Sequence, residues 1–168
     1  MHKKYLLIIL IIFYFTVPGN ASQYPNADKL EKIFKTYLPD NIIYTKVPRG
    51  LVISVDEKIF FNYGEVKIKQ SSLKILDTIA GIIKNLPNKF VIENHTTEAF
   101  SNFQQWELSV IRASNLAQYF INYHEFPGDK ITSIGLGKTV PYRYNKSEIN
   151  FNTDNRIDFV IIEYETMR

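Results

Sequence analysis

Residues 90–137, FVIENHTTEAFSNFQQWELSVIRASNLAQYFINYHEFPGDKITSIGLG, decide the fold. Phe90–Glu93 is a short apolar run with the length of a strand. Gln105–Tyr123 carries no Gly or Pro, and Trp106, Val110, Ala113, Ala117 and Phe120 recur at helical spacing. Pro127-Gly128 stops that helix, and Ile131–Ile134 is a second strand running into Gly135-Leu136-Gly137. Strand, long helix and strand here are the latter part of a β-(β)-α-β-α-β-β order, whose two main helices can cover one face of a mixed sheet.

Outward from this unit, Leu51-Val52-Ile53-Ser54-Val55 is rich in β-branched residues and is expected to be a strand. Lys58–Phe61 is a second short apolar piece, closed by a turn at Asn62-Tyr63-Gly64. Ser71 or Ser72 is placed to cap a helix whose buried stripe is Leu73, Leu76, Ile79, Ala80 and Ile83, ended by Pro87-Asn88. Leu30, Ile33, Phe34, Tyr37 and Leu38 mark a short helix nearer the N-terminus, capped by Asn26 or Asp28 and stopped by Pro39. Asp40–Gly50 reads as a connector. Arg156–Tyr164 closes the pattern as a strand in which Ile157, Phe159 and Ile161 alternate with Arg156, Asp158 and Val160. The expected architecture is an α/β sandwich, a mixed sheet with two main helices on one face and a short N-terminal helix.

The chain has 168 residues, 45% hydrophobic and 22% charged, a composition that excludes wholesale disorder and suits one domain. It has no cysteine, which excludes a disulfide framework, a thiol nucleophile and a Cys-type zinc site. His2, Lys3 and Lys4 precede the apolar run Tyr5–Val17, and Pro18-Gly19-Asn20-Ala21 follows it. This has the form of a secretory signal, shorter than the roughly 20 residues of a spanning helix. Residues 1–21 are therefore expected to be a signal peptide cleaved after Ala21, or otherwise an N-terminal anchor. Residues 22–49 then form an N-terminal helix and connector, and residues 50–168 the main domain. Removing Lys3 and Lys4 lowers the formal net charge from +3 to +1, which leaves no basic field for nucleic acid.

Several short motifs carry no chemistry. Gly137-Lys138-Thr139 looks like the end of a phosphate-binding loop, but position 132 is Thr where a Gly is required, and Val140-Pro141 follows where a helix should start. His95, Ser109 and an Asp can be drawn as a triad, yet no nucleophile elbow supports it. His2, His95 and His124 are too scattered for a metal site. Asn94-His95-Thr96 and Asn145-Lys146-Ser147 match glycosylation triplets of a kind common by chance. No enzyme constellation, cofactor or metal is expected.

Read together, five motifs resemble the OmpA C-terminal-like family, which includes the MotB and Pal periplasmic domains. They are Gly50–Val55 with Ile59–Gly64; Asn94-His95-Thr96-Thr97, where the family usually has Gly-His-Thr-Asp; Trp106-Glu107-Leu108-Ser109-Val110-Ile111-Arg112-Ala113, matching a Leu-Ser-x-x-Arg-Ala helix; Gly135-Leu136-Gly137 with Pro141; and Asn155-Arg156-Ile157-Asp158. The resemblance spans about residues 50–164 and implies noncovalent binding of peptidoglycan in the periplasm, at the wall or outer membrane. In the family an Asp takes the ammonium of diaminopimelate in the stem peptide and an Arg takes its carboxylate. Those roles map onto Thr97 and Arg112. Gln105 stands where an Asn is usual, and Arg156 lies near the same cleft.

A guanidinium fork suits a carboxylate bidentately, and Gln105, Ser109 and Arg112 share one side of a helix, so Arg112 is expected to be an exposed ligand contact. Thr97 can accept a hydrogen bond from an ammonium but cannot neutralise it, which costs about 1–2 kcal/mol of affinity. Glu98 is a candidate substitute one residue later. The alternative reading keeps the fold without the ligand, as a protein-interaction subunit of an envelope or secretion machine, using the sheet or the aromatic segment at 118–124. A flagellar stator subunit is disfavoured, because such proteins need an acid within their membrane helix and residues 5–17 contain none.

Overall fold

The structure, a computed structural model, describes residues 26–98, 104–140 and 154–163. The expected signal segment, Pro141 and the triplet at 145–147 lie outside the described residues. A five-stranded sheet runs in the order β1-β2-β5-β3-β4. Its strands are β1 (Ile43–Val47), β2 (Gly50–Asp56), β3 (Phe90–His95), β4 (Ile131–Gly137) and β5 (Arg156–Ile162). All neighbours are antiparallel except β3 and β4, whose parallel pairing across α4 makes the sheet mixed, as expected.

Helices α1 (Ala27–Tyr37), α3 (Leu73–Ile83) and α4 (Gln105–His124) cover one face. The alternation read in β5 holds: Ile157, Phe159 and Ile161 enter the core with Leu51, Ile53 and Val55 of β2 and with Phe90 and Ile92 of β3. Leu30 and Phe34 of α1, Leu76, Ile79, Ala80 and Ile83 of α3, and Ala113, Leu116, Ala117 and Phe120 of α4 close over them. The fold is the α/β sandwich expected. Among the described residues no helix is long and apolar enough to cross a membrane.

Three local readings change. The supposed connector contains β1, which pairs with β2 as a hairpin in which Val47 faces Gly50 across Pro48-Arg49. Pro48 sits in the turn, where its missing N–H costs no ladder bond. Glu57–Phe60 is a single helical turn, α2, and not a strand: Asp56 accepts a hydrogen bond from Lys58 N at 2.9 Å, and the turn drives Phe60 and Phe61 into the core. Third, α4 is rotated from the stripe read in sequence. Trp106 is 60% exposed, while Leu108, Ser109 and Arg112 are buried.

Candidate functional site

The family-like motifs meet where β2 runs into α2, β3 ends, β5 begins, and α4 passes β4. The helix can lie this close because of two glycines. A Cβ on Gly135 would stand 2.3 Å from the backbone N of Val110, so α4 packs on β4 backbone to backbone. Gly137 has φ +50°, accepts a hydrogen bond from Thr96 N at 3.0 Å and donates its N–H to Ser109 Oγ at 2.9 Å. Ser109 donates to Trp106 O at 2.7 Å, far in function from any triad, since His95 lies on the other face of the sheet.

Arg112, expected to be exposed, is fully buried. Its Nε donates to Glu65 O at 2.7 Å, and Nη2 donates to Asn62 O at 2.9 Å and to Glu98 Oε2 at 3.0 Å. Nη1 forms an ion pair with Glu57 Oε1 at 2.8 Å, although off the ideal hydrogen-bond direction. The ring of Phe61 lies 5.0 Å from Cζ, in cation–π range. The expectation failed because helical spacing gives direction only. What covers that side of α4 is the 57–65 segment, remote in sequence.

Glu57 is itself 2% exposed, and Asn94 Nδ2 also donates to its Oε1 at 2.7 Å. Burial pushes the Glu57 carboxyl above its ordinary pKa. Arg112, Asn94 and Thr96 pull it back only in part. Glu57 Oε2 and Asn94 Oδ1 have no hydrogen bond of good geometry. Glu98 completes the cluster: besides Arg112, its Oε2 accepts the Gly64 N–H at 3.1 Å. The side chains of Arg112, Glu57 and Glu98 are 0%, 2% and 12% exposed, so only Glu98 has appreciable access to solvent.

Thr97 is exposed, but both its N–H and its hydroxyl donate to Asn155 Oδ1, at 2.7 and 2.8 Å. Asn155 therefore ties the end of β3 to the start of β5. Gln105 is half-exposed in the first turn of α4, with no hydrogen bond or ion pair to Thr97 or Arg112. Arg156 is separated from Arg112 by the sheet. It is buried with Asp158 and His95 on the face away from the helices: Nε donates to Asp158 Oδ2 at 2.9 Å, and Nη2 is 3.2 Å from His95 Nε2. Ser54 donates to Asp158 Oδ1 at 2.6 Å, and Arg49 clasps Glu93 beside it at 2.6 and 2.8 Å. Burial raises the Asp158 pKa, but the hydrogen bond to His95 and the charge of Arg156 outweigh it, so the net shift is downward.

Glu93, His95 and Asp158 stand close enough to hold a cation. Arg49 and Arg156 already neutralise the two carboxylates, so the group is an ion-pair network. Sequence reading missed Glu57 and this network. The period-2 placement of residues 93, 95, 156 and 158 was the available signal for the network.

A family model described as "OmpA family" matches residues 60–155, more than half the chain. The chain belongs to the OmpA family. Among curated relatives it is 29% identical to the uncharacterised protein YtxE of Bacillus subtilis over 161 residues, 90% of this chain and 66% of that protein. It is 26% identical to Motility protein B of the same organism over 140 residues, 80% of this chain and 54% of that one. The chain thus spans about two thirds and about half of these relatives. Its fold is similar to a MotB-like protein from Desulfovibrio vulgaris, with a TM-score of 0.70 at 21% identity over 84% of this chain and 92% of that one. It is also similar to the cell wall anchor of the type VI secretion system from Pseudomonas aeruginosa, with a TM-score of 0.65 at 17% identity over 84% and 100%.

Proposed function

We propose that this OmpA-family domain is a non-enzymatic module that binds peptidoglycan noncovalently in the periplasm and holds itself, or a complex it belongs to, on the wall. The observation that carries the reading is the Arg112–Glu57–Glu98 cluster. Arg112 and Glu98 lie within the family-matched residues and Glu57 just before them, at the end of the sheet beside Thr97 and the start of α4. A buried guanidinium braced by two carboxylates and two carbonyls gives a rigid, charged site beside exposed loop residues, which suits the zwitterionic end of a diaminopimelate stem peptide. Of the four residues the resemblance indicated, this reading gives the ligand contacts to the exposed Thr97 and the half-exposed Gln105, with the buried Arg112 cluster bracing that end of the sheet. Arg156 serves it only through the β5 start that carries Asn155.

The test is co-sedimentation of the purified chain with isolated sacculi at low and high salt. Binding is expected, weaker at high salt because the polar contacts are at the surface. A folded protein that stays in the supernatant at both salts would refute it. One feature favours a second reading, a protein-interaction subunit of an envelope machine: position 97 has no acid, and its hydroxyl is committed to Asn155.

A further inference from the structure

Resting on the wall-binding reading, we propose that an open groove beside α4 holds the glycan of peptidoglycan: a sugar ring lies on Tyr119 and Tyr123, and amide side chains take its hydroxyl and acetamido groups. The groove measures about 610 Å³, within the range of small-ligand sites. One wall is the C-terminal half of α4 and the other is residues 66–73, with Val66, Ile68 and Leu73 half-buried between them. Both walls are fixed. Asn115 Nδ2 donates to Val66 O at 2.8 Å, and Lys69 donates through its N–H to Phe60 O at 2.8 Å and through Nζ to Lys58 O at 2.7 Å. The groove continues the proposed site. Glu65 O and Val66 O, adjacent in the chain, accept from Arg112 and Asn115, and Gln105, Arg112 and Tyr119 stand about two turns apart on one side of α4. Asn115 lies about 15 Å along the helix from Gln105, a distance that roughly four or five extended peptide residues span.

Two rings form the platform. Tyr119 and Tyr123 are 5.0 Å apart between centroids and tilted by 32°. The Tyr119 hydroxyl donates to Asp77 Oδ1 of α3 at 2.6 Å, and its ring meets Phe120 edge-on at 6.3 Å, so the ring is held before any ligand arrives. Tyr123 is 74% exposed. A tyrosine ring is a broad apolar surface with a polar end, which suits the C–H face of a sugar ring. Gln70, Gln118 and Asn122 line the groove, exposed, and their amides make no hydrogen bond among the described residues. An amide offers donors and an acceptor together, matching hydroxyl and acetamido groups that do both. Lys67 is the only charged residue among the described lining residues, so the groove does not select a polyanion. The amides also interrupt the aromatic surface where a docked helix needs a continuous apolar stripe.

The experiment titrates the full chain with a soluble oligosaccharide of N-acetylglucosamine, followed by NMR, and co-sediments the chain with sacculi. The oligosaccharide is expected to shift the signals of Asn115, Tyr119 and Tyr123. Tyr123→Ala, with melting temperature unchanged, should weaken sacculus binding about three- to tenfold, the worth of one aromatic contact, and Tyr123→Phe should keep wild-type binding. Asn122→Ala should weaken it in the same direction without touching the rings. No shift in the groove, or sacculus binding unaltered in both alanine variants, would overturn the inference while leaving wall binding intact. Groove signals that answer a proline-rich peptide and not the oligosaccharide would overturn it in favour of a protein partner. No binding to native sacculi would instead overturn the wall reading and this inference with it.

Discussion

Replacing Arg112 by Ala is expected to unfold this protein's margin of stability, not merely its ligand binding. The substitution removes the counter-charge of Glu57, which is 2% exposed and held 2.8 Å from Nη1. Removing one partner of a buried ion pair leaves an uncompensated charge and costs about 3–5 kcal/mol. The carbonyls of Asn62 and Glu65 also lose their donor, but both residues are exposed and water replaces it, so they add little. Domains of this size are stable by about 5–15 kcal/mol, so roughly a fifth or more of the total is at stake. At roughly 2–4 °C per kcal/mol for a chain of this length, the melting temperature should fall by about 6–20 °C. Differential scanning calorimetry and urea titration would measure it, with the slope m checked for constancy. Adding Glu57→Gln to Arg112→Ala should recover part of the loss, because the stranded charge is then gone, and the cycle should show a coupling of about 1–3 kcal/mol. A drop below about 1 kcal/mol, or no recovery in the double variant, would refute the account of Arg112 as the centre of a buried cluster.

Three further outcomes follow from the same structure. Gly135→Ala should abolish soluble expression or cost at least about 3 kcal/mol, since its Cβ would meet Val110 backbone at 2.3 Å; a variant melting within a few degrees of wild type would show that α4 does not lie on β4 as described. Thr97→Asp, expected from sequence to strengthen binding by about 1–2 kcal/mol, should change sacculus affinity less than about threefold, because a carboxylate at 97 loses the hydroxyl's hydrogen bond to Asn155 Oδ1 and faces that acceptor instead; a tenfold gain would give the ammonium role to position 97. Asp158→Asn should destabilise by about 3–5 kcal/mol at neutral pH and flatten the acid limb of stability. The folded pKa of Asp158 lies below its ordinary 3.8, so its contribution is present above that value and is lost as pH falls through the lower, folded one. A variant that loses as much stability as wild type between pH 4 and pH 2 would contradict that assignment.

Much of the architecture was legible because it rests on local rules. The strand at Leu51–Val55, helices α3 and α4 and the alternation of β5 follow from hydrophobic period and from Pro and Gly punctuation, and each lies where these signals put it. Local rules also misled where two signals compete. Ile43–Val47 has strand composition, but Pro48 and Gly50 beside it read as loop, and only pairing with β2 shows that they form a hairpin. Lys58–Phe61 is apolar enough for a strand, yet Asp56 caps it into a helical turn.

The sequence by itself determined the class of fold, the order of its elements apart from β1 and α2, and the motifs that place it among OmpA-like domains. Period, capping and turn chemistry act over a few residues and are written there in full. The character of each site residue was decided only by tertiary structure. Whether Arg112 faces water or two carboxylates depends on α2 and on the end of β3, 55 and 14 positions away in the chain, folding over the same side of α4. Whether Arg156 joins that site depends on which face of β5 it takes relative to α4. Burial and charge pairing are properties of segments brought together by the core. A helical or strand period gives the direction of a side chain and not what waits there.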